Sequence, residues 1–224
     1  MTSPLYMIDE SALSEDADVW FVLPPGFVPL PLRELAIAEQ NPAMAGRLGD
    51  ALRPLFEASA DAAARQRLLT AFGPVLRMAQ VLLSVDTVHC CVGLHVDDVG
   101  DGDLLLSMFT LTWKATNWAP RRVLVARALA GAQGTEYRER LDLPCGPAAF
   151  VQSRLTGPPE VGPVAGRQLL QVTAHVPCTE GRRIAILTLA TTATERAQEY
   201  RCLLRDIARS VSFENPFADP RNEE

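Results

Sequence analysis

QLLQVTAHVPCTEGRRIAILTLATTATERAQEYRCLLRDIARSVSF, residues 168–213, decides the fold. It reads as strand, tight turn, strand, helix. Leu170, Val172, Ala174 and Val176 alternate with Gln171, Thr173 and His175. A period of two marks a strand with one buried face. Pro177-Cys178-Thr179-Glu180-Gly181 interrupts the run, and Gly181 suits the positive φ of a short hairpin loop. Arg183 to Thr191 is apolar on both faces, which predicts a central strand covered above and below. Thr192 and Glu195 have capping-box spacing, with Thr194 as a competing cap. Tyr200, Leu203, Leu204, Ile207 and Val211 then form one helical stripe, and Asn215-Pro216 is the expected stop.

Outward from this unit the chain keeps the same character. Glu136 to Leu143 and Ala148 to Leu155 read as two strands around Pro144-Cys145-Gly146-Pro147. Asn117 and Pro120 fit the start of a helix running to Ala130, closed by Gly131 or Gly134. Thr87 to Asp97 and Leu104 to Ala115 form a hairpin around Asp98 to Gly102. In the first of these, Val88, Cys90, Val92, Leu94 and Val96 make the apolar face, and His89, Cys91, Gly93 and His95 make the other. Residues 33–84 carry helical periodicity, with a break at Gly73-Pro74. Val19 to Leu23 reads as a short strand, and Pro29 and Pro31 keep Val28 to Leu32 extended. Residues 1–18 and 216–224 are polar and expected to be disordered or flexible, leaving 19–215 as one α+β domain.

Composition narrows the function classes. The 224 residues are 48% hydrophobic and 21% charged, ordinary for a globular chain with ample core. A net charge of −6 argues against nucleic acid as a partner. The cations are 20 arginines and Lys114 alone, a bias expected of a GC-rich genome. Five irregularly spaced cysteines and a polar, acidic N-terminus predict free thiols and a cytoplasmic location. No apolar run is long enough for membrane insertion.

Candidate chemistry is sparse. His89, Cys91 and His95 share a strand face, and His175 and Cys178 lie on a later hairpin, so zinc ligation is conceivable. The ligand spacings are not standard, and cysteine is also a common small core residue, so neither a metal nor a cofactor is expected. Asp97 to Asp103 resembles a calcium loop but lacks the closing Glu, and Asp-Gly between alternating runs is a hairpin signal. Cys145 sits in a turn and is the candidate reactive thiol, although no base is anchored beside it in sequence. Phe109, Trp113 and Trp118 are the candidate lining of a ligand pocket, against the usual role of such aromatics in cores and interfaces. Phosphate loops, dinucleotide fingerprints, nucleophile elbows and zinc-protease motifs are absent.

Leu23 to Phe27 (Leu-Pro-Pro-Gly-Phe), Leu143 to Ala148 (Leu-Pro-Cys-Gly-Pro-Ala) and the ending from Arg183 to Phe213 resemble a broad group of uncharacterised high-GC bacterial proteins similar to the PsbP/Mog1-like fold. The resemblance implies a curved, mainly antiparallel sheet flanked by helices, with 33–84 as a helical insertion. It implies a binding, assembly or accessory role, because some relatives are tied to secretion machinery, including type VII systems. It carries over no catalytic residue, and Cys145 stands where a small residue is usual. The leading expectation is therefore a non-enzymatic adaptor with a protein partner, docking on 33–84 or on the strand edge near Glu136 to Arg140. A small-ligand pocket between sheet and insertion is the second expectation. A zinc- or thiol-dependent enzyme is the third, and a homodimer suits all of them.

Overall fold

The computed structural model describes residues 18–32, 53, 82–96, 104–132, 134–156, 166 and 168–215. Most of the expected helical insertion, the 97–103 loop, most of the N-terminal segment and the C-terminal tail lie outside them.

The described chain is α+β. Seven strands form one antiparallel sheet: β1 (Phe27–Pro29), β2 (Thr87–Val96), β3 (Leu104–Ala115), β4 (Tyr137–Leu143), β5 (Gly146–Thr156), β6 (Gln168–Pro177) and β7 (Arg183–Thr191). Their spatial order is β1-β2-β3-β7-β6-β5-β4. β7, the last of these strands in sequence, thus lies in the middle. Its two apolar parities explain this: Ala185, Leu187 and Leu189 enter the main core, while Ile184 and Ile186 join a smaller cluster on the opposite face.

Among the described residues, one helix packs on each face. α1 (Arg121–Gly131) lies over β5 and β6, with Leu124 buried against Ala119 and Ile184. Its first residue binds two hairpins together. The Arg121 guanidinium donates to the Pro177 carbonyl at 3.0 Å and to the Cys145 carbonyl. Gly146 makes room for it: a Cβ there would collide with that guanidinium, and φ is +125°. The Leu-Pro-Cys-Gly-Pro turn is therefore a seat for Arg121.

α2 (Ala197–Arg209) crosses the other face. Tyr200, Leu204, Ile207 and Ala208 are buried against Phe109, Phe150, Leu170, Val172 and Leu187. Each large side chain so buried contributes roughly 1.5–3 kcal/mol. At the far end, Arg205 pairs with Glu139 of β4 at 2.8 Å, and Tyr137 donates to the same carboxylate at 2.7 Å. The helix thus reaches from β2 to β4.

Four expectations change. The capping box does not form: a 3-10 turn (Thr194–Arg196) precedes α2, with no side-chain cap on either segment. Thr191 takes that role at the end of β7, accepting from the Ala193 N–H at 3.1 Å and donating to the Leu106 carbonyl at 2.7 Å. α2 stops at Ser210, whose hydroxyl donates to the Ile207 carbonyl at 2.6 Å, well before Asn215-Pro216. Val19 to Leu23 forms no strand, only isolated bridge positions at Trp20, paired with Ser212, and at Leu23, although Val19, Trp20, Phe21 and Leu23 are buried. Lastly, the His89/Cys91 face of β2 is the core face. Cys91 is fully buried and His89 packs edge-on to Phe21 at 5.2 Å, while Val88 is 51% exposed beside a bulge between Thr87 and His89.

Candidate functional site

An open concavity among the described residues lies beside the first turn of α2, with a volume of about 310 Å³. Pro24, Pro25, Leu105 and Leu203 supply apolar walls. Arg196 and Glu199, paired at 3.6 Å, supply a charged rim, and His95 and Tyr200 supply polar groups. The Pro24-Pro25 turn, the β2–β3 hairpin and α2 meet here, so the site is assembled from segments distant in sequence.

A polar layer lies beneath it. His95 Nε2 is 3.5 Å from the Ser107 hydroxyl on the next strand. The His95 ring packs edge-on to Phe27 at 5.4 Å and to Tyr200 at 6.4 Å. The Tyr200 hydroxyl is buried beside Thr191 and Ser107 without a hydrogen bond of good geometry. Burial pushes the Tyr200 phenol up and the His95 imidazole down, so both are neutral at pH 7. The half-buried, neutral His95 imidazole can exchange hydrogen bonds with a ligand in the groove, whereas the Tyr200 hydroxyl is closed off in the layer beneath.

Gly93 keeps this layer open. A Cβ there would lie 2.8 Å from both His95 Nε2 and Phe27 Cε1, and closer still to Ser107. Gly93→Ala should destabilise the protein by about 1–3 kcal/mol through overpacking. Urea melts compared with Gly131→Ala, where the added Cβ meets nothing within 4 Å, would show it.

The residues singled out from sequence are dispersed. Phe109 is fully buried in the core. Trp113 lies under the Arg183 guanidinium at 4.6 Å and beside Phe213 at 6.1 Å. Trp118 is 64% exposed before α1. They share no cavity, and none lines the groove. His89, Cys91 and His95 face the α2 side, whereas His175 pairs in register with Ile186 on the α1 side. Among the described residues, no three His, Cys, Asp or Glu side chains cluster to hold a metal ion.

Cys145 is half-buried, and desolvation raises its thiol pKa despite the nearby Arg121 charge. Cys90 is pushed up to about 12 by burial. Cys202 alone is exposed. An Ellman titration of the native protein should therefore show one fast thiol, abolished by Cys202→Ser, with the other four reacting only on unfolding. A fast thiol that survives Cys202→Ser and disappears in Cys145→Ser would revive the reactive-turn reading.

Sequence comparison places no known family and no curated protein beside this chain. Among the described residues no helix is long and apolar enough to cross a membrane.

Proposed function

We propose that the chain is a non-enzymatic protein-binding module of PsbP/Mog1-like architecture, a cytoplasmic adaptor or accessory protein of the kind linked to secretion or assembly machinery. The groove beside α2 supports this reading. Its volume of about 310 Å³ is at the lower end of small-molecule sites, which run from roughly 300 to 1,000 Å³. Apolar walls, a charged rim and the His95 imidazole at the base suit one or two anchor side chains of a partner chain.

Native mass spectrometry of the tagged protein from its own host tests the proposal. The wild-type chain should carry a second polypeptide at stoichiometric ratio. Leu203→Glu, which puts a charge on the groove wall, should lose it while keeping the wild-type circular dichroism melt. A bare chain in both preparations would overturn the adaptor reading. A small-molecule ligand is the second reading, favoured by the half-buried His95 imidazole on the groove lining. A lone chain with extra mass, absent from Leu203→Glu, would select it.

A further inference from the structure

We infer that β4 is a dimerisation edge, pairing antiparallel with β4 of a second copy about a two-fold axis through Leu141. Among the described residues β4 ends the strand order and pairs with β5 alone, in unbroken register from Tyr137↔Gln152 to Leu143↔Gly146. Its other long side has no strand among the described residues.

The turn fixes which backbone groups that side presents. Pro144-Cys145 is a two-residue loop closing on Leu143 and Gly146. Such a loop closes on a pair that exchanges both backbone hydrogen bonds, and the alternation then continues along the strand. Leu143, Leu141, Glu139 and Tyr137 therefore direct their N–H and C=O groups into β5. Arg138, Arg140 and Asp142 direct theirs outward, where they form a template for another strand.

The side chains select that strand. Arg138, Arg140 and Asp142 are exposed on one face, and Arg140 and Asp142 already pair within the chain at 2.9 Å. With the axis through Leu141, Arg140 of each copy lies opposite Asp142 of the other. The four charges then alternate in sign both along and across the strands. Leu141, packed against the core on the other face, meets its own mate and extends the apolar layer. Neighbouring registers fail. Centred on Arg140, two arginines meet on the axis. Centred on Glu139, two glutamates meet there and Arg138 faces Arg140. Like charges directly opposite destabilise a ladder, so the sequence favours one register. This edge lies at the opposite end of α2 from the groove, and the inference does not depend on it.

Sedimentation velocity of the full chain over a concentration series tests it. The wild type should dimerise reversibly. Arg140→Asp and Asp142→Arg should each weaken the dimer at least about tenfold, a loss of ~1.4 kcal/mol. The double swap Arg140→Asp/Asp142→Arg, which restores alternation, should recover it. Arg140→Pro removes an outward N–H while sparing the β5 ladder, and should be monomeric with an unchanged melt. A wild-type monomer at the highest soluble concentration would overturn the inference, as would a dimer indifferent to the single changes. A β4 variant that instead loses a different polypeptide from the host preparation would assign the edge to that chain and overturn the inference too.

Discussion

Phe109→Ala is expected to cost about 3–5 kcal/mol, a large share of the stability of a typical domain. Phe109 is fully buried at the middle of β3. Its ring centroid lies 5.6 Å from Phe21, 6.3 Å from Phe27 and 6.1 Å from His89. Those neighbours come from the 18–23 segment, β1 and β2, each held by its own backbone pairing. They cannot all move in to fill the hole, so the loss should approach the upper part of the range. Phe109→Leu, which keeps most of the volume, should cost markedly less. Urea denaturation followed by circular dichroism measures both. A cost below about 1 kcal/mol for the alanine variant would mean that this ring is not the centre of a packed core.

Acid should remove a comparable amount through His175. Burial, reinforced by the Lys114 charge, lowers its pKa from 6.5 to about 4. The native state therefore holds the imidazole neutral while the unfolded chain takes up a proton first. Stability is unaffected above pH 6.5. It falls between 6.5 and about 4, with a slope from this group of up to ~1.4 kcal/mol per pH unit. The loss should total on the order of 2–3 kcal/mol by pH 4. His95, also lowered by burial, adds in the same direction. Carboxylates titrate in part of this window, so the useful quantity is the difference between wild type and His175→Gln. The variant should gain relative stability as pH falls from 7 to 4. A flat difference would show that the site admits the charged ring.

The C-terminal unit was legible in the sequence because one pattern governed each piece. The alternation from Leu170 to Val176 faces the main core, and Leu204 and Ile207 lie on the buried side of α2. The central place of β7 followed from its double apolar parity. β2 was misjudged because periodicity shows that sides alternate, not which side is covered. Cys90 and Val92 are buried as well as Cys91 and His89, so both faces are occupied and the histidines gave a false cue. The capping box does not form: Thr191, one residue earlier, accepts from the Ala193 N–H, and the chain enters a 3-10 turn before α2. The groove was not legible at all. Pro24, His95 and Leu203 belong to separate stretches, and only the tertiary fold brings them together. The tryptophans suggested a pocket by type alone, and the chain sends Trp113 and Trp118 to different surroundings.

The middle position of the final strand also sets a timetable for synthesis. β3 is complete at Ala115, but its neighbour β7 begins only at Arg183. Translation adds about 5–20 residues each second. For several seconds the nascent chain therefore lacks the strand that joins its two half-sheets, and β3 and then β6 each have one side awaiting β7. The final cooperative step must wait until Thr191 and the helix after it have left the ribosome. A chaperone that shields open strands would find this protein during that interval, and a ribosome stalled before Arg183 would hold it there.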